Sequence, residues 1–143
     1  MSKKEFCSNC KFWGPECFFD ENSKTANALC RGPGGWNYTN QSHTCPDWAH
    51  RTGQPLGTGV FPLWFQPPEH DWKAAASIVH DFRYDHLPSG MTIAGADMEW
   101  YKNCTFLAGD NIKRQWIACV GLAIIRTYSI LKFRKKKRNV TVH

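Results

Sequence analysis

The sequence predicts a mainly α protein in two parts, a small irregular Cys-stapled metal module followed by a three-helix domain. Three observations carry this prediction. Four of the cysteines in the first 45 residues are spaced like metal ligands, in a stretch rich in aromatics and glycine and poor in helix-forming runs. A Gly/Pro-rich link over 51–71 then argues against both a helix and a central strand. Beyond it, apolar residues recur at helical spacing through three successive segments.

The module, residues 1–50, is defined by Cys7, Cys10, Cys30 and Cys45. Cys7 and Cys10 form a Cys-x-x-Cys bite, which grips one metal without distorting the backbone. Cys30 and Cys45 follow singly, after gaps of 19 and 14 residues. The chain opens MSKKEF with no apolar stretch before the first cysteine, so no signal peptide is expected and a reducing compartment is the working assumption. In that setting patterned cysteines bind metal more often than they pair. Two metal chemistries stay open. Zinc would take the four thiolates, or three of them with His43; an iron–sulfur cubane also takes four thiolates and tolerates irregular spacing. The order of bite, long gap, lone Cys, medium gap, lone Cys resembles the high-potential iron–sulfur proteins. That resemblance implies a 4Fe-4S cluster on Cys7, Cys10, Cys30 and Cys45, shielded by the aromatics between Phe6 and Trp48. Cys17, Cys104 and Cys119 are spare in this scheme, the last two being read as small buried hydrophobes.

The link contains Phe61, Leu63, Trp64 and Phe65, which predicts that it packs on something. The three-helix domain occupies 72–131. Its first helix covers 72–86, with Ala75, Ile78, Val79 and Phe82 at helical spacing, and Pro88 and Gly90 end it. The second covers 93–108 behind a Thr92 cap, with Asp97, Trp100 or Tyr101, and Cys104 on one face. The third is expected from Asn111 to about Lys132, capped by Asp110. Its buried stripe is read as Ile112, Trp116, Cys119, Val120, Ala123, Ile124, Thr127 and Leu131. Between Trp116 and Leu131 only Arg126 is charged, but 16 residues fall short of the ~20 a membrane helix needs. A core helix with no transmembrane span is therefore predicted. The tail, 132–143, opens on a run of six basic side chains over 132–138; outside that run, basic and acidic residues balance at 12 each. Such a tail meets the phosphates of anionic lipid or nucleic acid, or stays solvated.

The residues that carry chemistry are His80, Asp81 and Tyr84 on the first helix and Asp97 on the second. His80 and Tyr84 sit one turn apart, and Asp81 projects from the neighbouring row. A histidine needs a partner that fixes its tautomer before it can serve as a general base, and Asp97 on an antiparallel helix is the candidate. Asp81 would then hold a hard cation such as calcium beside it. The same set, buried and hydrogen-bonded, would equally cross-link a helical bundle with no chemistry.

The His-Asp-x-x-Tyr run, followed by an Asp 17 residues after the His, resembles secreted phospholipase A(2) enzymes, especially the short prokaryotic and parvoviral types. A Gly-rich loop of the same kind stands at Leu56, Gly57, Thr58 and Gly59, Gly57 being 23 residues before His80. This resemblance implies His80 as base for a water, Asp81 and the 56–59 carbonyls on calcium, and Asp97 orienting His80. A second resemblance covers more of the chain. AAASIVHDFRYDH, ADMEWYKNC and IACVGLAIIRTY, within about 74–128, look like an uncharacterised phage and prophage family, domain of unknown function 1353. It implies a phage-related origin. Together these readings predict a virion-associated tail or capsid accessory protein, in a virion or the host cytoplasm. Its metal centre would be structural and its partners other virion proteins. The alternative is a calcium-dependent phospholipase A(2)-like lipid esterase using His80, Asp81 and Asp97.

Overall fold

A computed structural model describes residues 10, 13–14, 16–33, 35, 37–43 and 72–140, with side chains described through 132. The chain runs β1 (Phe18–Asp20), β2 (Thr25–Cys30), β3 (Asn37–Asn40), α1 (Ala74–Asp85), α2 (Ile93–Ala108) and α3 (Ile112–Val140). The link and Cys7, Cys45 and Trp48 lie outside the described residues.

The expectation of an irregular N-terminal module is corrected. β1, β2 and β3 form an antiparallel meander in that order, pairing Phe19 with Ala26 and Ala28 with Thr39. The β1–β2 turn is set by Asp20, whose carboxylate accepts from the Asn22 backbone N–H at 3.1 Å and the Ser23 hydroxyl at 2.6 Å. Those bonds, the Ser23 hydroxyl first, hold the Asp20 carboxyl below its ordinary range. β2 alternates as a half-buried strand should, but its inward residues are Ala26 and Ala28, both fully buried. Alanine has little β-propensity and no hydrophobic bulk, so the alternation is faint in the sequence.

Small inward residues let the sheet lie close on α1. Ala26 and Ala28 form one core with Cys10, Trp13 and Cys17 and with Ala75, Ile78, Val79 and Phe82 of α1. Trp13 anchors it: the indole N–H donates to the Thr39 carbonyl at 3.2 Å, and the ring meets Phe82 edge-on at 5.3 Å. Gly14, at φ 92°, follows at a point where any Cβ would strike the Phe82 ring.

α1 is buried on nearly every side because the sheet covers one face and α2 the other. That explains the AAASIV run, since only short side chains fit between two layers. Ala76 faces away from the sheet and joins a second core with Trp100, Cys104, Ala118 and Ile125. Thr92 caps α2 as expected, accepting from the Gly95 N–H at 3.0 Å. The cap of α3 is Asn111, which accepts from the Arg114 N–H at 3.1 Å, in place of Asp110.

The stripe expected on α3 is also corrected. Trp116, Val120 and Leu131 are 68%, 52% and 57% exposed, and Ile112, Cys119, Ala123, Ile124 and Thr127 are exposed with them. The inward face is Ala118, Gly121, Ile125 and Ser129. Gly121 decides the rotation, because a Cβ there would stand 2.5 Å from Trp100 Cη2. The α3 backbone stays helical through Val140, so the basic run expected as a tail continues the helix.

Candidate functional site: a buried carboxylate shared by three helices

The site is built around Asp97, which has no exposed surface. Its place on α2, one turn before Trp100 and two before Cys104, puts it on the buried face of that helix. Four side chains on the other two helices reach it. From α1, His80 Nε2 lies 2.8 Å from Asp97 Oδ1, and the Tyr84 hydroxyl donates to the same oxygen. From α3, Arg126 Nη1 donates to Oδ2 at 3.0 Å and the Ser129 hydroxyl does so at 3.2 Å. The His80 and Tyr84 rings lie one turn apart, tilted by 47° with centroids 4.3 Å from each other. Tyr84 also contacts Ser129 through their hydroxyls, at 2.5 Å.

Electrostatics follow from the donor count. Burial pushes the Asp97 carboxyl upward, but the bonds from His80, Tyr84 and Arg126 outweigh it and leave it below the usual carboxylate range. Asp97 is thus an ionised, acceptor-only group at neutral pH, so the His80 Nε2 must carry the proton in their bond. Burial, and then the bond to Asp97, push the Tyr84 phenol well above its ordinary value.

Of the residues singled out in the sequence, the structure brings His80, Tyr84 and Asp97 together. Asp81 sits half-buried on the adjoining row of α1. The 56–59 loop that would share a calcium with it lies outside the described residues. Sequence reasoning missed Arg126 and Ser129. The signal was present: a lone charge inside an apolar helix has to find a counter-charge or reach solvent. Arg126 does both, being 36% exposed while bonded to Asp97.

Of the four cysteines proposed as ligands, Cys10 and Cys30 are described and Cys7 and Cys45 are not. Cys10 is fully buried, Cys30 packs against the same core, and Cys17, treated as spare, is buried there too. Trp13 forms a β-bridge with Cys30, which closes the segment around Cys10 onto β2. Among the described residues no three His, Cys, Asp or Glu side chains form a metal-holding group.

Two further features frame the site. Arg83, on α1 between His80 and Tyr84 but directed away from Asp97, bonds both Glu99 oxygens at 3.1 and 3.2 Å and the Cys17 carbonyl at 2.8 Å, tying the segment before β1 to α1 and α2. An open groove lined by Glu16, Cys17, Phe18, Tyr38, Arg83 and His86 runs along that side and does not include His80 or Asp97. The arrangement can therefore do two things: lock three helices through one carboxylate, or hold an imidazole in a fixed tautomer with Nδ1 left to accept a proton. No family model, no curated protein and no solved structure matches the chain.

Proposed function

We propose that this chain is a phage-type, virion-associated structural protein whose helical domain is locked by Asp97 and whose N-terminal part is stapled by a metal. The observation that carries the reading is the carboxylate itself. Asp97 has no exposed surface, takes donors from both neighbouring helices, and holds a His80 that is only 5% exposed. A water-activating base has to meet its substrate, whereas a cross-link gains from being sealed. In this reading Cys7, Cys10, Cys30 and Cys45 hold an iron–sulfur cluster or zinc, a purely structural load. The burial of Cys10 against Trp13 and Phe82 supports it by supplying a dry, aromatic wall. Partners would be other virion proteins. The phage assignment rests on the resemblance over about 74–128.

A second reading is favoured by one observation. The 2.8 Å bond from His80 Nε2 to an ionised Asp97, with Tyr84 on the same oxygen, is the orientation a histidine base requires. It supports a phospholipase A(2)-like esterase, with calcium on Asp81.

His80→Asn and Asp97→Asn separate the two. The structural reading expects no calcium-dependent phospholipid hydrolysis by any form of the protein. It also expects a loss of about 3 kcal/mol in Asp97→Asn, where Arg126 and Tyr84 lose a charged acceptor. In a chain of this size that is a fall of about 10 °C in thermal midpoint. Hydrolysis by the wild type that disappears in His80→Asn with the fold intact would replace the structural reading by the enzymatic one. Metal and sulfide analysis of anaerobically purified protein decides the staple: iron with sulfide, zinc alone, or neither, the last removing the metal from the proposal.

A further inference from the structure

The outward face of α3 is apolar where the surface of a helix packed on a domain is ordinarily polar. Trp116, Ile117, Val120, Ile124, Ile130 and Leu131 are between 38% and 68% exposed. With Cys119, Ala123 and Thr127 they form a continuous uncharged stripe about 22 Å long, opposite the buried Ala118, Gly121, Ile125 and Ser129. A patch of this extent marks a surface that meets something apolar.

Charge identifies the occupant. α3 carries nine Lys or Arg between Ile112 and Val140 and no Asp or Glu. Lys113 and Arg114 precede the stripe and the run at 132–138 follows it, so the apolar stretch is bracketed by positive charge at both ends. A second copy of the chain would bring two such helices, each with nine positive charges, against one another. Nucleic acid would satisfy the basic residues but leave Trp116 and the aliphatic stripe in water. A surface with apolar depth and negative headgroups satisfies both. The apolar stretch of the helix is too short and too closely flanked by charge to cross: among the described residues no helix is long and apolar enough to span a membrane.

We infer that α3 lies along an anionic lipid surface, with Trp116, Ile117, Val120, Ile124 and Leu131 entering the headgroup–acyl boundary and the flanking basic residues on the phosphates. This goes beyond the structural reading and does not rest on it.

The test is co-sedimentation of the full chain with vesicles of phosphatidylcholine, with and without phosphatidylserine. Binding is expected to the anionic vesicles and to weaken as salt is raised. Replacing Lys135, Lys136 and Lys137 together by Gln should lower partitioning about a hundredfold, at about fivefold per basic residue. Ile117→Glu with Val120→Glu should lower it at least about tenfold with an unchanged thermal midpoint. Absence of binding by the wild type overturns the inference. So does undiminished binding by the double Glu variant together with competition by duplex DNA, which would make the surface a nucleic-acid site. A lowered thermal midpoint in that variant would mean that the stripe is covered by the chain's own residues. A dimer that it dissociates would mean that a second copy covers it.

Discussion

Asp97 is the residue on which the helical domain turns, and its charge state gives the protein a defined pH profile. A carboxylate without exposed surface is tolerable only when its lone pairs are filled, and four donors fill them. Its carboxyl is held below the ordinary value of 3.8, so its stabilisation is complete above that value and is lost as pH falls through the lower, folded one. Tyr84 works in the opposite sense: raised above 10.0, its phenol stabilises fully below that value, and the contribution is lost as pH climbs toward the folded one. Denaturant midpoints across pH should therefore show the acid-side loss shrinking in Asp97→Asn and the alkaline-side loss shrinking in Tyr84→Phe. Profiles unchanged by these substitutions would mean that neither group is linked to folding. His80, Tyr84 and Asp97 were legible in the sequence because a four-residue spacing on one helix and an acid on the next suffice to find them. Arg126 and Ser129 were not, because their arrival depends on how α3 is rotated, and nothing local to α3 fixes that.

That rotation is a property of the element, set by its smallest residues. Between Trp116 and Leu131 α3 is apolar on almost every side, so a helical periodicity has no preferred face to report, and the largest side chains were the natural choice for the core. The outcome is the reverse, because Ala118, Gly121 and Ser129 let α3 approach the Trp100 ring while Trp116 stays outside. Gly121→Ala makes this measurable. On helix propensity alone it should stabilise by about 1 kcal/mol. The new methyl, however, would meet the Trp100 ring at 2.5–3.1 Å, and a ring sealed in a core has nowhere to go. A net loss of about 1–3 kcal/mol is expected in chemical denaturation. A net gain would mean that α3 presents another face to α2. The sheet escaped the sequence reading for a related reason: β2 packs through alanines, and what marks it in space is the Trp13 anchor, a contact 26 residues away from Thr39 along the chain.

At the scale of the whole molecule, the described residues form two cores that share α1. Ala75, Ile78, Val79 and Phe82 face the sheet while Ala76 and the His80 ring face α2 and α3, all within two turns of one helix. Arg83 adds a polar clamp, its guanidinium held by Glu99 on one side and by the Cys17 carbonyl on the other. Two bodies joined only by a linker would unfold separately; two cores sharing a helix cannot, because losing one strips a face of α1 that the other needs. Phe82→Ala tests this from the sheet side. Phe82 is 1% exposed, with Trp13 against its ring, so truncation should cost about 3–5 kcal/mol. The loss should appear equally in the amide-exchange protection of β2, α1 and α2, and near-ultraviolet and far-ultraviolet transitions should coincide. If protection falls in β2 alone while α2 and α3 keep theirs, the sheet is a separate cooperative unit, and the metal expected on Cys7, Cys10, Cys30 and Cys45 would stabilise that unit without reaching the Asp97 network.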